Sequence, residues 1–67
     1  MEIGKIIREL RKEKKLTQTD LAKEIASTQD TISLWELGKS YPDVINLIKL
    51  AKFFGVSTDY LLGLKEI

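Results

Sequence analysis

The chain has no cysteine and no histidine, one proline, and only four glycines in 67 residues. Without cysteine there is no disulfide and no thiol nucleophile, and without histidine as well the usual zinc ligand sets are gone. Neither a metal site nor a cofactor is expected. Apolar runs are short, the longest being three residues, as at Tyr60-Leu61-Leu62. A helix that spans a bilayer needs about 20, and the N-terminal EIGKIIRELRK lacks the apolar core of a secretory signal. The expectation is a cytoplasmic protein that does not engage a membrane. Glycine-rich phosphate loops and clustered carboxylates are absent too, so no catalytic constellation can be assembled and an enzyme is not expected.

What is present is the composition of a folded helical domain. Hydrophobic residues make up 43% of the chain, too many for a disordered tail. A chain of 67 residues reads as one domain, residues 1–67, near the lower size limit for folding around a single core. The formal net charge is only +1, but it is unevenly spread. Residues 1–16 hold six basic side chains (Lys5, Arg8, Arg11, Lys12, Lys14 and Lys15) against three glutamates, a local +3, while the remaining 51 hold five lysines against seven acids, a local −2. A positive end suits a phosphate-contacting edge and equally an ordinary solvated helix face, so charge leaves both readings open.

Hydrophobic spacing supplies the elements. Ile3, Ile6, Ile7 and Leu10 recur at i, i+3, i+4 and i+7, which predicts a first helix over about residues 2–14, and Leu16 carries the core into the next turn. Thr17 is placed to cap a second helix from Gln18 by accepting from the amide of Asp20, whose charge suits the positive end of the helix dipole. In that helix Leu21, Ala22 and Ile25 form the apolar stripe, while Lys23 and Glu24 face water. Thr28 caps a third helix with Ile32 and Trp35 inward and Gly38 at its end, leaving Gln29, Asp30, Ser33 and Leu34 outward. After the loop Gly38-Lys39-Ser40-Tyr41-Pro42, Asp43 caps a fourth helix over about residues 44–54. Its Val44, Leu47, Ile48, Leu50, Ala51 and Phe54 cover so wide an arc that this helix is expected to be the centre of the core. Gly55 ends it, and Ser57 caps a last short helix containing Tyr60, Leu61 and Leu62. With no strand pattern, repeat or low-complexity tract, the fold class is all-α, five short helices around one core.

Counted from Gln18, apolar residues stand at the fourth (Leu21), eighth (Ile25), fifteenth (Ile32) and eighteenth (Trp35) positions. The small Ala22 is fifth, where two helices crossing at about 90–120° leave no room for a branched side chain. This spacing, over about residues 18–37, is that of a helix-turn-helix. Its flanks narrow the reading further: IGKIIRELRKEKKLTQTDLAKEI before the turn, ISLWELGKSYP after it, and LIKLAKFFGVSTDYLLG at the end. With TQ..LA, IS.WE.GK, the proline that follows and GVS..YLLG in order, nearly the whole chain resembles the Cro and phage-repressor family, also called Xre-like. The resemblance implies a compact five-helix, lambda-repressor-like DNA-binding domain whose second motif helix lies in the major groove. It further implies a transcriptional regulator, a repressor that binds a near-palindromic operator in double-stranded DNA as a homodimer.

On that expectation the first turn of the third helix meets base edges. The Gln29 amide can donate to N7 of adenine while accepting from N6, worth about 1–3 kcal/mol against a wrong base. The resemblance adds that Gln18 steadies it. Asp30 can accept from the cytosine N4 amine, or sit there simply as an anion at a helix N-terminus. Ser33 can reach a base edge or a phosphate, and Leu34 suits a thymine methyl. Phosphate contacts are expected from Gln18, Thr28, Thr31, Lys39 and Ser40, since helix-terminal amides and short polar side chains suffice for them. An ion pair between Arg11 and Glu36 is implied by the resemblance as a device that orients the recognition helix, with Arg11 also touching a phosphate. Trp35 and Phe54 read as core, with Phe53 at its edge. A dimer surface is expected at the C-terminus, where Tyr60, Leu61, Leu64 and Ile67 exceed what a short last helix must bury.

Three places depart from the family pattern. Ala26 and Ser27 occupy a turn where glycine and then an apolar residue are common, so either alanine costs about 1 kcal/mol in a left-handed backbone or the turn is rearranged. The loop before the fourth helix offers Tyr41, Pro42 and Asp43 in place of an arginine, which speaks against minor-groove reading from that loop. A second reading, a protein-interaction or antitoxin-like module of the same fold, draws on the near-neutral charge and on Asp30, Leu34 and Leu37 on the exposed face. A C-terminal sensing domain beyond Ile67, or a protein partner, also stays open.

Overall fold

The computed structural model describes residues 2–65. Five helices make it up: α1 (Ile3–Glu13), α2 (Gln18–Glu24), α3 (Gln29–Glu36), α4 (Val44–Phe54) and α5 (Thr58–Leu61). Four of them begin at a side-chain cap: Thr17 accepts from the Asp20 amide, Thr28 from Thr31, Asp43 from Asn46 and Ser57 from Tyr60. Each cap satisfies an amide that the helix itself leaves without a partner. At Thr17 the bond is reciprocal, because its own amide donates to Asp20 Oδ2 at 2.9 Å. That amide holds the Asp20 carboxyl below its ordinary value of 3.8.

The helix ends are equally regular. Leu16, Ser27, Lys39, Val56 and Leu64 each send a backbone amide back five residues, to the carbonyls of Arg11, Ala22, Leu34, Ala51 and Asp59. The residue just before each is left-handed, as this type of helix end requires. Glycine fills that position at Gly38, Gly55 and Gly63, but Lys15 (φ 58°) and Ala26 (φ 54°) hold it without glycine's freedom. Alanine at position 26 therefore carries the strain and leaves the turn unrearranged.

All five helices contribute to one core of Ile3, Ile7, Leu10, Leu21, Ala22, Ile25, Ile32, Trp35, Leu50, Ala51 and Leu61. The tightest approach in it belongs to Gly4. A Cβ built there would lie 2.1 Å from the Trp35 carbonyl oxygen, so α1 lies directly on the C-terminal turn of α3. That requirement is tertiary, and no local pattern in the sequence announces it.

Two expectations are overturned. The fourth helix is not the centre of the core: only Leu50 and Ala51 are buried on it, while Val44 is 71% exposed, Ile45 66% and Ile48 43%. Along the start of α4 only Leu47 packs against the core, while Val44, Ile45 and Ile48 stay uncovered. Leu61 is corrected too, in the opposite sense, since it is fully buried and belongs to the core. At the other edge Phe53 and Phe54 pack edge to face with centroids 5.0 Å apart, and the Lys14 ammonium lies 5.5 Å from the Phe53 ring centroid. Among the described residues no helix is long and apolar enough to cross a membrane.

Two substitutions should move stability against naive helix propensity. Gly4→Ala, normally favourable in a helix, is expected to destabilise by about 1–3 kcal/mol because the methyl collides with backbone. Ala26→Gly, normally unfavourable, is expected to stabilise by about 0.5–1 kcal/mol by relieving the left-handed residue. Urea denaturation of both variants reads the two signs directly.

Candidate nucleic-acid interface

The pair α2–α3 is the motif, and α3 is its presented helix. Ile32 and Trp35 are buried beneath it, 0% and 3% exposed, and fix its roll about its own axis. That roll leaves Gln29, Asp30 and Leu34 exposed and Ser33 half-buried along the outer face. Thr28, at the cap, pairs its hydroxyl with that of Thr31 at 2.8 Å while accepting from the Thr31 amide at 3.2 Å. Beyond the helix, Lys39 is exposed and Ser40 half-buried, with the amides of both turned back onto the Leu34 carbonyl.

A polar seam ties this face to α1. Arg11 Nε donates to Glu36 Oε2 at 2.7 Å and a terminal nitrogen donates to Oε1 at 3.0 Å, a two-pronged pair whose side chains are only 11% and 5% exposed. The hydrogen bond to Glu36 raises the Arg11 pKa, so its charge is permanent. The other terminal nitrogen donates to the Leu16 carbonyl at 2.8 Å, which fixes the α1–α2 turn as well. From Glu36 the seam continues outward. Gln18 Nε2 donates to Glu36 Oε1 at 3.1 Å, and Gln29 Nε2 donates to Gln18 Oε1 at 2.6 Å.

The structure thus brings together Arg11, Gln18, Gln29 and Glu36, which lie on three different helices. With three of its five N–H groups turned inward, Arg11 keeps only two at the rim for any phosphate. Arg8 was missed by the sequence reading: it is exposed and joins Arg11, Gln18, Ser33, Glu36 and Leu37 around a half-open pocket of about 270 Å³. Its spacing of three residues from Arg11 was the available signal, since i and i+3 share a helix face. Of the residues assigned to a dimer surface, Leu61 is in the core, Tyr60 is half-buried, Leu64 is 74% exposed, and Ile67 lies outside the described residues.

Comparison with known proteins agrees with this fold. The model of the helix-turn-helix family matches residues 7–61. The chain belongs to that family. It is 40% identical over 67 residues to the HTH-type transcriptional activator BcrR of Enterococcus faecalis, covering all of this chain and 33% of BcrR. It is 36% identical over 67 residues to the HTH-type transcriptional regulator ImmR of Bacillus subtilis (strain 168), covering all of this chain and 53% of ImmR. The chain therefore spans about a third to a half of the length of these curated relatives. Among solved structures, the P22 c2 repressor in complex with synthetic operator 9T superimposes with a TM-score of 0.88 at 36% identity, covering 94% of this chain and 96% of that one.

In this helix-turn-helix domain the ion pair is testable without any ligand. Removing one partner of a buried pair strands a charge, so Arg11→Met and Glu36→Leu should each destabilise by about 3 kcal/mol. The double variant should lose much less than their sum. Equilibrium denaturation of the four proteins gives the coupling, and additive losses would show that the pair does not act as a unit.

Proposed function

We propose that the chain is a sequence-specific double-stranded DNA-binding transcriptional regulator, a repressor that acts as a homodimer on a near-palindromic operator in the cytoplasm. The observation that carries this is the outer face of α3. Its first turn holds an amide at Gln29 and a carboxylate at Asp30, with Leu34 one turn on, all on a helix locked by Ile32, Trp35 and the Glu36 seam. Adenine, cytosine and a thymine methyl are the major-groove features those three groups match. Gln18, Thr28, Thr31, Lys39 and Ser40 flank the face and supply phosphate contacts that set register, with Arg8 added to them and Arg11 contributing from its rim. The likeness to a repressor solved with its operator supports the same reading.

Selection from a random double-stranded DNA pool tests the assignment. Gln29→Ala should flatten the preference at one base position per half-site, a loss of about 1–3 kcal/mol of discrimination. Affinity for the selected site should fall steeply with salt, with a log–log slope near −0.9 per phosphate contacted. A shallow slope would favour a protein-interaction module instead.

Two-fold pairing would set the recognition helices about 34 Å apart. A domain of 27 × 23 × 20 Å is comparable in size to that separation, so facing copies are expected to approach one another closely. The surface we assign to that meeting is the uncovered start of α4, where Val44, Ile45 and Ile48 stand beside Tyr41, itself 55% exposed. Leu64, with Tyr60 behind it, is the smaller alternative. Sedimentation of the purified protein should show that Ile45→Asp raises the dimer dissociation constant at least tenfold, with roughly a 1.4 kcal/mol loss per factor of ten. If Leu64→Arg alone has that effect, the contact lies at the C-terminus.

A further inference from the structure

We propose that Asp30 and Leu34 together form a seat for 5-methylcytosine, so that the domain binds cytosine-methylated DNA more tightly than the same sequence unmodified. The inference rests on the reading that α3 enters the major groove, and it adds a modified base that this face selects there. Both residues are exposed on the outer side of α3, Leu34 by 42%, and they stand one helical turn apart. Residues at i and i+4 are surface neighbours, with Cβ atoms about 5–6 Å apart. A helical side chain also leans toward the N-terminus of its helix, so the leucine at position 34 covers the turn that holds Asp30. Capping does not occupy the carboxylate, because the cap of α3 is Thr28, whose hydroxyl accepts from the Thr31 amide at 3.2 Å. With Ile32 and Trp35 buried beneath it, α3 cannot roll either group away from the groove without exposing core.

An acceptor beside an apolar surface makes a particular demand on the edge of a base. The carboxylate needs a donor, which cytosine offers at N4 and adenine at N6, while the leucine needs an apolar partner, which thymine offers in its C5 methyl. No unmodified base offers both. Thymine sets its methyl beside the O4 acceptor, which the carboxylate repels, and adenine sets its donor beside N7, a further acceptor. Cytosine has the N4 donor but only a hydrogen at C5. In 5-methylcytosine the N4 donor and the C5 methyl stand on neighbouring ring atoms, so one base meets both side chains at once. The bond from N4 to Asp30 then excludes thymine, and the contact of the methyl with Leu34 separates methylated from plain cytosine.

The first test needs only the wild-type protein. Selection is run on two random double-stranded DNA pools, one with ordinary cytosine and one in which every cytosine is 5-methylated, and the position that Asp30→Ala flattens is located. Duplexes with 5-methylcytosine, cytosine or thymine at that position are then compared for affinity. The wild type should favour 5-methylcytosine over cytosine by about fourfold per half-site, as burial of one methyl group gives, and cytosine over thymine by about tenfold. Leu34→Ala should bring the advantage of the methyl to near one and keep cytosine over thymine. Asp30→Asn, whose amide can donate to O4, should bind the thymine duplex as tightly as the 5-methylcytosine duplex.

Equal wild-type affinity for the cytosine and 5-methylcytosine duplexes overturns the inference and leaves the groove reading standing. A methyl advantage that survives Leu34→Ala in full does the same, as does a selection in which Asp30→Ala flattens no position. If the wild type selects no sequence from either pool, the groove reading fails and the inference falls with it.

Discussion

The pair between Arg11 and Glu36 is the constraint on which the presentation of α3 depends. Arg11 lies near the C-terminal end of α1, and side chains on a helix lean toward its N-terminus, so the guanidinium reaches back over the seam where α1 crosses α3. That seam is narrow because Gly4 lets the two backbones touch at Trp35, the residue before Glu36. The same guanidinium grips the Leu16 carbonyl, so one side chain fixes the crossing of α1 with α3 and the turn that launches α2. A lysine, with its donors on a single nitrogen, could not span both carboxylate oxygens and the Leu16 carbonyl as the three nitrogens of the guanidinium do.

From this pair the order of the site follows outward by hydrogen-bond chemistry. Apolar anchors cannot fix an exposed amide: Ile32 and Trp35 set where α3 lies, but they say nothing about which end of Gln29 faces out. Only a partner with a defined donor or acceptor does that, and the chain from Glu36 through Gln18 supplies it. Packing therefore places the helix, and polarity decides how its first side chain is presented.

What the sequence made legible and what it hid divide along the same line. The four side-chain caps and the bounds of α4 were readable because their signals are local, an oxygen three residues from the amide it meets and an apolar stripe at helical spacing. The face Gln29, Asp30 and Leu34 was readable because Ile32 and Trp35 fix its opposite side. By contrast, the apolar arc of α4 was taken as buried, since periodicity reveals which side of a helix is apolar but not whether another helix reaches it. Leu61 and Leu64 show the same limit, being alike in the sequence and opposite in exposure. Gly4 was unreadable because close approach belongs to two distant segments at once. At Ala26 the strain was foreseeable, but the backbone's tolerance of it was not.

The small net charge bears on the interface less than its value suggests, because three of the ten acids are engaged within the fold. Glu36 is neutralised by Arg11, and Asp20 and Asp43 are occupied by the amides they cap. On α3 this leaves Asp30 as the acid that still faces out. In the free protein the helix dipole favours a carboxylate there, whereas close to phosphates the same carboxylate is repelled unless a donor meets it. In the major groove the donor adjacent to such a group is the N4 amine of cytosine or the N6 amine of adenine, and thymine and guanine present only acceptors. Asp30 on this reading works mainly by rejection, raising the energy of wrong sequences more than it lowers that of the right one. Such a residue would lower affinity and sharpen choice, which suits a small domain whose proposed phosphate contacts would already give it a general hold on DNA.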